Sequence, residues 1–357
     1  MTRSRMVGVI CLSGACAGSN EVGVEDSSGT SQPTTEASTQ SAGSSGTGSA
    51  ESGSGSSGPP VPTTSSSDDN GGAPKLDVGG VASESGGETG FVEDCPCENV
   101  QDGIYVLDTD FARVLFFDPL DNTFTEVGVL GCPAPPGATA NSMAVDRQGN
   151  AWFNYYQLGA PNQGWLYRAA LDDLANCVDV GHVGIDEWFL LGMGYSVDVP
   201  GGSCDTLYLY NSDQYANNPD FVDGSSVARW DEDNGVLDVI GTTDYPVAEL
   251  AGTGNARLFA FATVPGGDTL LAELDKNDGS ARNVIPLEGL STLNGFAFAF
   301  WGGDAYFFTG DGEAGANRVS RLDYDGGGRE LETVVPQSEY RIFGAGASTC
   351  ASFVPPD

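Results

Sequence analysis

A chain of 357 residues could hold two domains, but its first quarter is nearly devoid of large apolar side chains, so only the remainder can bury a core. Fifty acidic residues against 14 lysines and arginines give a formal charge of -36, and most of that excess lies in the part able to fold. A field of this sign repels phosphate backbones and anionic lipid headgroups, which argues against nucleic acid and direct membrane-surface binding and leaves cations, basic partners and neutral ligands.

In chain order, Arg3 and Arg5 form a short positive region, residues 6–12 a short apolar run, and Leu12-Ser13-Gly14-Ala15-Cys16 a small-residue stretch ending in cysteine. This resembles a bacterial lipoprotein signal. The resemblance implies that residues 1–15 are removed and that Cys16 becomes the lipidated first residue; an ordinary secretory signal cleaved nearby is the alternative. No other stretch approaches the roughly 20 apolar residues of a membrane span, so membrane attachment is expected only through the lipid, with the chain exported to the outer membrane or cell surface.

Residues 16–90 are dominated by Ser, Gly, Thr and Pro, with runs such as Ser44-Ser45-Gly46-Thr47-Gly48-Ser49. Such a composition cannot offset its ordering entropy, so a disordered linker is expected. As a random coil it would reach roughly 50 Å, enough to hold a domain clear of a bilayer. It is similar to the Ser/Gly/Thr-stalked predicted lipoproteins common in myxobacteria, a resemblance that implies location rather than activity.

The folded part is expected over 91–357. It contains Cys95, Cys97, Cys132, Cys177, Cys204 and Cys350. An even number of cysteines in an exported domain predicts three disulfides, with the pairing left open. No metal site is read from Cys95-Pro96-Cys97, because one residue separates the pair, no second close pair exists, and His182 is the single histidine.

Five hairpin-like segments recur: 114–118 with 123–127, 166–172 with 177–180, 227–231 with 236–240, 270–275 with 282–285, and 319–323 with 331–334. Each is a strand, an aspartate-led turn and another strand. The leading residues, Asp118, Asp172, Asp231, Asp275 and Asp323, follow one another at the spacing of propeller blades. An aromatic-rich strand precedes each hairpin, and a strand of small residues precedes most of those, as suits the crowded centre of a ring. The first repeat lacks that inner strand, and the segment 343–353 fits the vacancy. Completing the first blade with the last strand removes exposed edges and would bring Cys350 towards Cys95 and Cys97, so Cys350 is expected to pair with one of them.

The whole resembles a five-bladed β-propeller, all-β and closed by its C-terminal strand. A six-bladed ring is the rival, because the third repeat is long enough to conceal extra strands. The stretch Val145-Asp146-Arg147-Gln148-Gly149-Asn150-Ala151-Trp152-Phe153 is similar to the blade turn of NHL-like and streptogramin-lyase-like propellers. There Gly149 and Asn150 would make the turn and Trp152 would pack between blades. No lyase activity follows, since that family's chemistry rests on histidine.

Asp231-Glu232-Asp233-Asn234-Gly235 and Asp323-Tyr324-Asp325-Gly326-Gly327 look like fragments of calcium loops but stop short and coincide with the repeated turn. Calcium elsewhere in so acidic a protein stays open; no other cofactor is expected. Hydrolase and nucleotide-binding motifs are absent. A propeller glycosidase needs paired carboxylates in the axial funnel. Asp146 and Asp198 should lie on the opposite face, which leaves Glu249 by itself. Three long connections, 157–164, 212–226 and 310–317, share a face with the starts of the inner strands. They and the adjacent strand ends carry Tyr155, Tyr156, Asn162, Asp213, Tyr215, Asn217, Asp220 and Asp311, a mixture of rings, amides and carboxylates able to bind a ligand. The expectation is a surface-displayed, non-enzymatic binding module for a protein or glycan partner, with a carbohydrate-active enzyme as the alternative.

Overall fold

The computed structural model describes residues 95–212, 225–264, 268–310 and 317–354; Cys16 and the linker lie outside them. Among the described residues, twenty strands form five four-stranded antiparallel sheets. Blade A holds β1 (Ile104–Asp108), β2 (Arg113–Asp118) and β3 (Thr123–Val129). Blade B holds β4 (Thr139–Val145), β5 (Asn150–Gln157), β6 (Gln163–Ala170) and β7 (Val178–Ile185). Blade C holds β8 (Leu191–Val197), β9 (Asp205–Asn211), β10 (Ser226–Asp231) and β11 (Val236–Thr242). Blade D holds β12 (Val247–Gly252), β13 (Leu258–Thr263), β14 (Thr269–Leu274) and β15 (Ala281–Pro286). Blade E holds β16 (Phe296–Trp301), β17 (Asp304–Gly310), β18 (Asn317–Leu322) and β19 (Leu331–Ser338). The last strand, β20 (Ile342–Gly346), pairs with β1, Tyr105 opposite Gly346 and Val106 opposite Ala345, and completes blade A. Five blades and C-terminal closure agree with the repeat reading. The surplus length of the third repeat falls in the connection between β9 and β10, not in a sixth blade.

Period-two alternation explains the core. Successive side chains of a strand face opposite sides of its sheet, and each inner sheet is covered on both sides, so β1 reads as a continuous apolar run. Tyr105 and Leu107 join the core between blades A and B, while Ile104 and Val106 join the one between E and A. Five clusters of buried side chains correspond to the five interfaces between blades. Trp152 sits in the cluster between B and C, 1% exposed, as its position in the blade turn predicts. Each outermost strand faces solvent on one side and is only partly covered.

Inner strands meet almost backbone to backbone. A Cβ added at Gly192 would stand 2.0 Å from the Ala248 carbonyl oxygen, and one at Gly344 would stand 2.6 Å from the Met143 amide nitrogen. Small residues are therefore a steric requirement of convergence at the axis.

The two ends of the ring differ. On the hairpin face, where inner strands turn back into second strands, Cys95 bonds Cys204 and Cys97 bonds Cys350; Cys132 bonds Cys177 between the exit of β3 and the next blade. Cys350 thus pairs with one of its two expected partners. The loop face carries the starts of the inner strands and the connections from second to third strands.

Candidate functional site

Near the loop face the axis is occupied by a polar plug. Glu249, on β12, is 4% exposed and accepts a hydrogen bond from the Ser142 hydroxyl of β4 at 2.6 Å and another from the Met193 amide of β8. Burial pushes its carboxyl well above the usual range and so favours the protonated form, against those two hydrogen bonds. Three blades thereby converge on one buried acid.

Around the plug, polar side chains staple neighbouring blades. The buried Asn154 of β5 accepts the Leu191 amide at 3.0 Å and donates to the Phe189 carbonyl at 3.2 Å, joining B to C. Ser212 donates to the Ala248 carbonyl and accepts the Ala248 amide, joining C to D. Across the mouth, the Arg341 guanidinium lies 4.9 Å over the Phe343 ring and 3.4 Å from the Asp110 carboxylate. Burial pushes the Tyr156 hydroxyl up, and the charge of Arg341 works in the opposite direction. Tyr156 and Arg341 therefore share one electrostatic environment on the loop face. Val247, Phe296 and Phe343 belong to the apolar cluster that borders this region.

The residues singled out from sequence separate into four groups. Tyr156 reaches the mouth. Tyr155 does not: it is 7% exposed in the core between A and B, edge-on to Tyr167 at 5.3 Å, its hydroxyl pushed up to about 12 by burial and by Tyr167. Asn162 braces its own loop; its carboxamide oxygen accepts the Gly159 amide at 3.1 Å, and its backbone exchanges two hydrogen bonds with Asp186. Asp213, Tyr215, Asn217, Asp220 and Asp311 lie outside the described residues. Ser142, Asn154, Ser212 and Arg341 were not anticipated, although a lone Asn or Ser inside an apolar run was the available signal.

His182 lies inside β7. It is 7% exposed, with Nε2 2.9 Å from the Trp188 carbonyl oxygen and its ring edge-on to Trp230; burial lowers its pKa. Asp231, the head of the calcium-like fragment, spends its carboxylate on its own turn, accepting the Asp233 and Asn234 amides and the Asn234 carboxamide. Among the described residues no three metal-ligating side chains converge. Asp146 likewise serves its hairpin, accepting the Gln148 and Asn150 amides and the Asn150 side chain.

The opposite end of the axis is sealed. Asp102 accepts Trp301 Nε1 at 2.8 Å and both the amide and hydroxyl of Ser352, tying the first described segment to the C-terminal tail. Arg147 donates to the Cys95 carbonyl and the Thr349 hydroxyl, and Thr349 donates to Asp205 at 2.7 Å. Burial pushes Asp205 up to about 7; Asp146 adds to the shift, whereas Thr349 and Arg147 oppose it.

No family profile and no curated protein sequence matches the chain. Among solved structures, YjhT is similar at 12% identity and a TM-score of 0.41, over 70% of this chain and 85% of that one. A mutant of the Aleuria aurantia lectin in complex with Fucα1-6GlcNAc is similar at 16% identity and a TM-score of 0.40, over 68% of this chain and 80% of that one. TolB from Acinetobacter baumannii is similar at 12% identity and a TM-score of 0.39 over 66% of this chain, which spans 54% of its length. At this distance they bear on neither activity nor ligand.

Proposed function

We propose that the chain is a surface-displayed, non-enzymatic binding module whose loop face engages a protein or glycan partner. The observation that carries the reading is the axial plug: Glu249 is the carboxyl that the described residues bring to the axis near this face, and its hydrogen bonds are made within the protein. Hydrolysis of a glycosidic bond by the usual route needs two carboxyl groups about 5 to 9.5 Å apart, one protonated and one ionised. Recognition needs neither. Display is supported by the sequence, through the signal ending at Cys16 and the linker after it, and by the first described residues, which are stapled to the hairpin face and leave the loop face open.

A carbohydrate-active enzyme is the second reading, favoured by one observation: burial raises the Glu249 carboxyl, the direction a general acid requires. Asp213, Asp220 and Asp311 belong to connections whose flanking strand ends open on the same face. Incubating the protein with aryl glycosides and oligosaccharides, beside an E249Q variant, separates the two. Turnover that E249Q abolishes would replace the binding reading with the enzymatic one; saturable retention of intact glycan or protein without turnover supports binding. Metabolic labelling with palmitate, lost in C16S, tests the lipid anchor.

A further inference from the structure

Five blades radiating from one axis diverge outward, and the wedges between them must be filled or left open. Between A and B the outer wedge stays open near the hairpin face as a groove of about 570 Å3. Its size suits a small ligand. One wall is the first described segment, with Asn99 and Gln101; the other comes from β2 and β3, with Phe116, Thr123 and Thr125; the turn after β6 adds Asp172. Phe116 is fixed from behind, because Gly103 lies against it so closely that a Cβ would stand 2.4 Å from its Cζ, and Tyr105 packs edge-on at 5.3 Å. The wall itself is anchored. Cys97 is bonded to Cys350, the Glu98 amide donates to the Arg147 carbonyl at 2.8 Å, and the Gln101 amide donates to the Tyr105 hydroxyl at 3.0 Å.

The side chains of Asn99, Gln101, Thr123, Thr125 and Asp172 make no hydrogen bond with other described residues. They offer both donors and acceptors around a half-buried ring. A cationic ligand would use acceptors alone, and Arg113 already neutralises Glu126 at the edge of the groove at 2.9 Å. A metal ion is disfavoured, since no three ligating side chains converge among the described residues. An anionic ligand meets Asp118, Asp172 and the net negative field. A polyhydroxylated ring matches what remains: its C–H face covers an aromatic ring, and its hydroxyls, each both donor and acceptor, satisfy carboxamides and threonines.

We propose that this groove is a saccharide-binding site for neutral sugars, separate from the loop face and built partly by the disulfide-anchored N-terminal wall. It shares with the proposed function only the premise that the propeller binds rather than hydrolyses.

The test uses the full chain and the methyl glycosides of glucose, galactose, mannose, fucose and N-acetylglucosamine, with glucuronate and pentalysine as charged probes, followed by ligand-observed NMR and titration calorimetry. At least one neutral glycoside should bind, and both F116A and the double variant N99A/Q101A should weaken it about tenfold or more. The double variant removes only exposed or half-exposed carboxamides, so its thermal midpoint should match the parent and a folding defect in F116A cannot mimic the result. Binding of pentalysine alone, of no neutral glycoside, or of a glycoside unaffected by N99A/Q101A would overturn the proposal. Loss on R341A with the groove variants unaffected would move the sugar to the loop face, ending this proposal while leaving the proposed function intact.

Discussion

The two faces of the ring are built on opposite principles. On the hairpin face the blades are joined by turns and cross-braced by two disulfides and by the Asp102, Arg147 and Asp205 contacts, so the first and last described segments are fastened to each other and to blade C. The loop face carries the longest link, between β9 and β10, blades there are stapled by single side chains such as Asn154 and Ser212, and the axis is plugged by a buried acid. The cross-bracing is thus concentrated at one end of the ring. A propeller sealed at one end can vary its loops at the other without opening the ring.

The largest expected effect is at the seal. Replacing Cys97 and Cys350 by serine frees a link closing 253 residues of sequence and should cost about 4 kcal/mol, seen as a lower denaturant midpoint. The shorter Cys132–Cys177 link, spanning 45, should cost less. Equal losses would mean that ring closure does not depend on the tail. At the plug, E249A leaves the Ser142 hydroxyl and Met193 amide without a partner and should cost about 3 kcal/mol. E249Q keeps an uncharged acceptor in the same shape and should change stability by less than about 1 kcal/mol at neutral pH; a collapse of E249Q in calorimetry would show that the carboxyl is ionised.

Next comes the pH response. The folded Asp205 titrates near 7, above the 3.8 of an unperturbed aspartate, so the folded state holds the extra proton between those values. Its stabilising contribution is complete below about pH 4 and is lost as pH rises towards 7. In D205N that loss should vanish while the acceptor for Thr349 remains; superimposable melting profiles of parent and variant from pH 4 to 8 would contradict it. The smallest effect belongs to the loop face, where N162A removes the Gly159 contact at a cost of about 0.5–1 kcal/mol. Faster amide exchange should then be confined to the 158–162 connection, and global destabilisation would argue that this loop is structural.

The contrast between the faces was only half legible beforehand. Asp118, Asp172, Asp231, Asp275 and Asp323 announced the turns because turn chemistry is local, and Gly192 and Gly344 announced inner strands because crowding permits little else. Tyr155 was placed with Tyr156 at the loop end because adjacent residues look alike in sequence; the pleat sends the first into the A–B core, while the second meets Arg341 from a different blade. Neither the Glu249–Ser142 bond, across 107 residues, nor the groove between Asn99 and Thr125 has a local signature, since each is made of partners from separate blades.

The sequence by itself determined the propeller repeat, the strand that closes the ring and the acidity of the folded part, since these follow from periodicity, residue size and composition. Tertiary structure decided between five and six blades, which cysteine meets which, which acid is buried at the axis and where a groove opens between blades, because those depend on distances between segments that the chain's order does not encode.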